Sequence, residues 1–216
     1  TVVSGLWLNL RVMFFAEIFV LLFGLLIALS RTSKSPLLYP LRLIAGAYTD
    51  IFRGLPLLLV LLLVGFGIPG LQISWIPNSA VILGTFSLIL TYTAYVAEVI
   101  RAGIEAVSPT QRMAARSLGL TQWQAQRHVV LPQAFRKVTP PLLNDLVSLQ
   151  KDSGLISVLG AIDAIRSAGI ETAQSFNFTP YIVAGLFFVA LTIPLTRFTD
   201  WLTRKQDQAR QQGGQW

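Results

Sequence analysis

The sequence predicts an all-α, polytopic membrane protein with about five transmembrane helices and a helical loop on one membrane face. Apolar residues make up 53% of the 216-residue chain and charged residues only 12%, and the mean hydropathy is +0.61. Those apolar residues are gathered into runs near the ~20 residues needed to cross the hydrocarbon core, whereas a soluble domain spreads them among charged faces. Lys and Arg fall almost entirely into alternate inter-run segments, which is the asymmetry that orients multi-span proteins. Residues 1–216 therefore read as one transmembrane domain.

The first span is expected at about 5–29. Arg11 and Glu17 interrupt its apolar run, Trp7 and Phe14 add bulk, and no small-residue cleavage site precedes Arg31, so it reads as a retained span and not a signal peptide. Because the chain starts at Thr1 and not at a Met, native residues ahead of Thr1 are expected. Further spans are expected at 55–75, 80–101, 142–162 and 180–203.

Orientation follows from the cations. Arg31, Lys34 and Arg42 follow the first span; Arg101, Arg112, Arg116, Arg127, Arg136 and Lys137 lie between the third and fourth; Arg204, Lys205 and Arg210 come after the fifth. The opposite segments, 70–79 and 161–179, carry only Arg166, beside Asp163 and Glu171. The N-terminus is thus expected outside and the C-terminus in the cytoplasm of a bacterial cell membrane. The same asymmetry accounts for the net charge of +7, so no nucleic-acid partner is implied.

Several chemistries are excluded. The chain has no cysteine, and His128 is its single histidine, which removes thiol nucleophiles, disulfides and His-pair metal sites. Its glycines are scattered through apolar spans, where small residues let helices approach, and form no phosphate-cradling loop. No catalytic residue, metal site or bound cofactor is expected in this chain. If ATP energises it, the nucleotide binds another chain.

The long loop at about 102–140 specifies two short helices. Ser108-Pro109-Thr110-Gln111 has capping-box spacing with Pro at the first helical position, and Gly119 suits a left-handed stop, giving a helix over 109–118. Thr121-Gln122-Trp123-Gln124 repeats that spacing and starts a second helix, which Pro132 is expected to end or bend. Met113, Leu118, Leu120 and Trp123 then form an apolar cluster at the bend, rimmed by Arg112, Arg116 and Arg127. A rimmed apolar patch suits a protein interface. Two helices joined by a Gly turn also describe a DNA-binding helix-turn-helix. That rival is disfavoured because spans fix the segment on both sides, and Pro132, Pro140 and Pro141 stand where a third helix would have to pack.

With these residues in view, the chain resembles the permease subunit of ABC importers, in the branch that takes up polar amino acids such as glutamine, glutamate, histidine and arginine. The family's cytoplasmic signature is matched at Ala114, Ala115, Gly119, Leu131 and Pro132, with Val129 in its Ile place and Met113 replacing its usual Glu. Phe52-Arg53-Gly54-Leu55-Pro56, Ala94 to Arg101 and Lys151-Asp152-Ser153 resemble further family segments, with Leu55 and Gly154 as departures. The resemblance implies a type I importer permease fold. It also implies a second permease subunit, ATPase subunits that bind ATP and Mg and dock at Met113, Ala114, Ala115, Arg116, Leu118, Gly119, Leu120 and Trp123, and an extracytoplasmic amino-acid-binding protein. The lipid bilayer surrounds the spans, and transport proceeds by alternating access.

Charges inside spans are costly and tend to mark a pathway. Asn144, Ser148, Lys151 and Asp152 fall on about one face of the fourth span, Thr91, Tyr95, Glu98 and Glu105 share a stripe on the third with Arg101 one turn beyond Glu98, and Asp50 and Arg53 sit at the mouth of the second. The candidate path residues are thus Asp152, Glu98, Arg53, Arg101, Lys151, Asp50, Ser153 and Tyr95. A zwitterionic amino acid needs both signs of charge, with Glu98 or Asp152 for its ammonium and Arg53, Arg101 or Lys151 for its carboxylate. The alternative is that Glu98 with Arg101, and Lys151 with Asp152, only neutralise each other. A permease for a different solute, and a membrane scaffold that docks a soluble partner, are the other readings of the chain.

Overall fold

The protein is described by a computed structural model that covers residues 1–33, 35–73 and 76–213, apart from the side chains at 207 and 209–213. Lys34 and the Arg210 side chain, both counted above for orientation, lie outside the described residues.

Helix α1 spans Val2–Thr32 and α4 spans Ala80–Glu105; their mutual packing is the most extensive in the fold. The reason is a stripe on α1. Gly5, Asn9, Val12, Ala16, Val20, Gly24 and Ala28 recur every three or four residues and are buried, and small side chains at that spacing let two backbones approach without lipid between them. At Gly24, a Cβ would stand 2.6 Å from Val96 Cγ1 of α4. Val12, Ala16, Val20, Leu88, Val96 and Leu149 then build the main core.

Between these two helices the chain makes α2, Pro36–Gly54, and α3, Leu57–Gly70, which meet at 106°. The expected second span at 55–75 is therefore corrected. It is a bent pair, and α3 alone, at 1.5 Å per residue, reaches only about 21 Å. Pro56 is the cause: it pushes Leu55 to an extended ψ of 137°, because the residue before proline is disfavoured in the helical region. Both arms pack on α4, with the Tyr48 hydroxyl donating to the Leu90 carbonyl oxygen at 2.5 Å.

The expected helix-turn-helix is present as α5, Pro109–Ser117, followed by a Gly turn and α6, Gln122–Leu159. Gly119 has φ +84°, Leu120 N–H donates to Ala115 O, and Gly119 N–H donates to Arg116 O. Together these are a Schellman stop. Thr121 and Gln124 form the complete capping box, whereas Ser108 caps only through the Thr110 amide.

Pro132 does not end or sharply bend the second helix, contrary to expectation. A π turn at Gln126–Val130 precedes it, with Leu131 N–H donating to Gln126 O. Widening the spiral there makes room for a ring that would clash in an α-helix and absorbs the missing N–H. Helix α6 continues through Pro140 and Pro141 to Asp152, tightens to a 3-10 turn over Ser153–Leu159, and stops at Gly160, φ +90°.

Helix α7, Ala164–Ser175, turns 50° from α6, and α8, Thr179–Gly213, packs on both. Three helices, α1, α4 and α8, are individually long and apolar enough to cross a membrane, and five spans result if each bent pair counts as one. The five expected spans thus correspond to α1, the α2–α3 pair, α4, the α6–α7 pair and α8. The second half of the segment expected as a loop, 102–140, is continuous with the helix that enters the bundle.

Candidate functional site

Polar side chains inside the bundle gather at three levels. Nearest the hairpin end, Glu98 of α4 sits among arginines from three helices. Arg31, in the last turn of α1, donates to Glu98 Oε2 at 2.7 Å and to Thr49 Oγ1 of α2 at 2.8 Å. Arg101 lies one turn along α4 and donates from Nε to the same oxygen at 3.0 Å and from NH2 to Oε1 at 2.5 Å. It also reaches Glu105. Arg53, closing α2, stands 3.8 Å from Glu98 Oε1 with its side chain 43% exposed. Both Glu98 oxygens are therefore committed to guanidinium donors, and Arg101 is committed to two carboxylates. Bidentate pairing of this kind fixes geometry as well as charge.

Six residues earlier on α4, about 9 Å along the axis, Tyr92 donates its hydroxyl to Asp152 Oδ2 of α6 at 2.7 Å. The Tyr95 ring lies 6.1 Å from that of Tyr92 and is partly exposed. Among the described residues, Tyr92 is the one hydrogen-bond partner of the Asp152 carboxylate, leaving Oδ1 without a donor. A half-buried carboxylate in this position can accept a cationic group.

At the far end, Asn9 of α1 donates to Ser153 O and to Asp163 Oδ2, both at 3.0 Å, and accepts from Ala164 N–H at 3.1 Å. Asp163 caps α7 through the Arg166 amide at 2.8 Å. Asn9 and Asp163 are 2% and 0% exposed. This is a fully bonded buried knot that joins the start of α1 to the α6–α7 corner, the condition under which buried polar groups are stabilising.

The predicted path residues thus divide. Asp152 and Tyr95 share one level, and Glu98, Arg101 and Arg53 share another. Asp50 is exposed on α2, and Lys151 is exposed on α6 and forms no ion pair with Asp152. The alternative of a Lys151–Asp152 pair is not seen, and Asp152 makes the tyrosine contact instead. Ser153 is 1% exposed, and its hydroxyl donates to Gln150 O at 2.7 Å, so it faces its own helix and lines no path. Its neighbour Gln150 accepts from Thr192 of α8 at 2.7 Å.

In the hairpin, Met113, Leu118 and Trp123 are 61%, 84% and 67% exposed. Ala114 and Arg116 are exposed too, and Leu120 is half-buried. Ala115 is buried and supports the hairpin from inside, so it offers no docking surface. Arg116 donates to Leu120 O at 3.2 Å and ties the bend.

Sequence reasoning missed Asn9, Tyr92 and Gln150, and it used Arg31 only for orientation. A polar residue within an apolar run was the available signal for Asn9 and Gln150. Nothing in the spacing marks Tyr92, because its partner is 60 residues away.

The profile of the family described as "Binding-protein-dependent transport system inner membrane component" matches residues 4–208. The chain is 36% identical over 199 residues to the arginine transport system permease protein ArtQ of Bacillus subtilis (strain 168), covering 90% of this chain and 87% of that protein. Among solved structures, a chain from the crystal structure of an amino acid ABC transporter with histidines superposes with a TM-score of 0.85 at 37% identity, covering 94% of this chain and 93% of the other. A chain of the MetNI methionine ABC transporter in an inward-facing conformation shares the fold, with a TM-score of 0.69 at 20% identity and 95% of each chain covered.

Proposed function

The chain belongs to the family of binding-protein-dependent transport system inner membrane components, the permease subunits of ABC importers, and from that premise we propose that its cargo is a polar amino acid. The observation that carries the reading is the likeness over about nine-tenths of its length to an arginine permease subunit and to an amino acid transporter of known structure. An unshared carboxylate at Asp152, at the centre of the bundle, supports it further.

In this reading Asp152 receives the cationic group of the substrate, with Tyr92 and Tyr95 beside it. Arg53, the exposed guanidinium at the Glu98 level, is available to the substrate carboxylate at a second point along the path. Glu98, Arg101 and Arg31 hold helices together and leave the substrate alone. The chain binds no cofactor and hydrolyses no ATP. ATP and Mg belong to ATPase subunits that dock on Met113, Leu118 and Trp123, and a second permease subunit completes the path. An extracytoplasmic binding protein delivers substrate. The N-terminus lies outside and the C-terminus inside, an orientation that the distribution of Lys and Arg supports. Access alternates as closure of the ATPases moves the hairpin.

The test is uptake into vesicles that hold the chain with its co-purified ATPase and receive the binding protein from outside. ATP-dependent accumulation of labelled arginine, glutamine or histidine, reduced by Asp152→Asn, is the expected result. Accumulation of a different solute class, with no amino acid carried, overturns it. Because the chain lacks cysteine, single Cys residues placed at 4 and 118 report the orientation by labelling with an impermeant thiol reagent.

A further inference from the structure

Away from the polar levels, a groove of about 720 Å3 runs between α1, α4 and the first half of α6. That volume lies within the roughly 300–1,000 Å3 of small-molecule sites. Leu25 and Leu29 of α1, Ile100 and Ile104 of α4, and Phe135 of α6 form its walls, and Arg136 is the only charged residue in its lining. Leu25, Leu29 and Phe135 remain substantially exposed, so the groove opens sideways out of the bundle. Leu29 and Ile104 stand near the hairpin-side ends of α1 and α4.

Two observations decide what fills it. Arg136 is exposed and forms no ion pair among the described residues, although its forked donors match a phosphate. On α4, at 100° per residue, Ile100 and Ile104 point about 80° and 120° away from Tyr92, the side chain that meets Asp152, so the groove lies on a different face from the proposed substrate carboxylate. A laterally open apolar groove with an unneutralised guanidinium in its wall is the arrangement that holds an anionic lipid.

We infer that the groove binds one anionic glycerophospholipid, with an acyl chain against Leu25, Leu29, Ile104 and Phe135 and the phosphate on Arg136. The leaflet it comes from rests on the orientation proposed above; the chemistry does not.

The test is native mass spectrometry of the chain in detergent with the subunits that co-purify, stripped of lipid and titrated with phosphatidylglycerol or phosphatidylcholine. One phosphatidylglycerol per copy is expected, bound about tenfold more tightly than phosphatidylcholine. Arg136→Gln removes that preference, Arg136→Lys retains most of it, and Leu25→Trp, which fills the groove, weakens both lipids. Equal phosphatidylglycerol binding by the wild type and Arg136→Gln overturns the proposal. If Leu25→Trp fails to assemble, a photoreactive benzoylphenylalanine at position 135 decides: an adduct of phospholipid mass supports the lipid, and an adduct with a second protein chain overturns it. Binding in micelles involves no amino acid, so failure here leaves the importer reading standing.

Discussion

Tyr92 of α4 and Asp152 of α6 meet at 2.7 Å across the centre of the bundle, although neither has another hydrogen-bond partner there among the described residues. Asp152→Asn keeps an oxygen that can accept from Tyr92 but loses the charge. Uptake of a cationic or zwitterionic amino acid is therefore expected to fall at least tenfold while the amount of protein in the membrane stays level. Tyr92→Phe removes the donor and keeps the charge. Its expected effect is a change in apparent KM with a smaller stability loss of about 1–2 kcal/mol, read by transport kinetics and thermal unfolding of the purified complex.

The Asn9 knot predicts an ordering. Asn9→Ala leaves the Asp163 carboxylate and the Ala164 amide short of partners in a buried site, at a cost of about 1–3 kcal/mol per unsatisfied group. Asn9→Asp is expected to be worse, because it places a second carboxylate beside the first. Thermal unfolding in detergent should rank wild type above Asn9→Ala above Asn9→Asp.

At the hairpin end, Glu98→Gln strips the counter-charge from Arg31 and leaves Arg101 with Glu105 alone. Because Glu98 is about one-fifth exposed, the fully buried penalty does not apply, and a loss of about 1–3 kcal/mol is expected. The Arg31→Gln change should cost much less in a Glu98→Gln background than alone, and a double-mutant cycle on unfolding measures that coupling. Full additivity would remove the network from the account of stability.

Close contact between α1 and α4 predicts a compensating pair. Gly24→Ala drives a methyl against Val96 and should lower stability and expression. Adding Val96→Ala removes the nearest clash and should recover part of the loss, since Val96 Cβ at 3.1 Å and Ala97 N at 3.3 Å remain, whereas Val96→Ala alone opens a small cavity at a cost of about 1–2 kcal/mol.

Much of this architecture was legible in the chain because membrane insertion imposes strong local rules. Apolar runs located α1, α4 and α8, and the Gly119 and Thr121 signals placed the hairpin turn to within a residue. What was not legible depended on how local breakers are absorbed. Pro56 turned one expected span into two arms at 106°, while Pro132 scarcely disturbed its helix, because a π turn preceded it in one case and none did in the other. The site was less legible than the fold. Charges showed which residues matter, but a list of charges does not say which are already paired. Arg31 captured Glu98 from 67 residues away, and Tyr92, not Lys151, stands beside Asp152.

Helix α6 has one further consequence. It begins one residue before Trp123 and runs without a loop to Asp152 and beyond, so the proposed docking surface and the candidate substrate carboxylate are two points on a single shaft about 43 Å apart. A torque applied at the proposed docking surface would pass along this shaft, with the π turn and the paired prolines as its most yielding points. Stiffening or slackening those two joints should change how faithfully ATP turnover is geared to the movement of cargo, even though neither joint touches nucleotide or substrate.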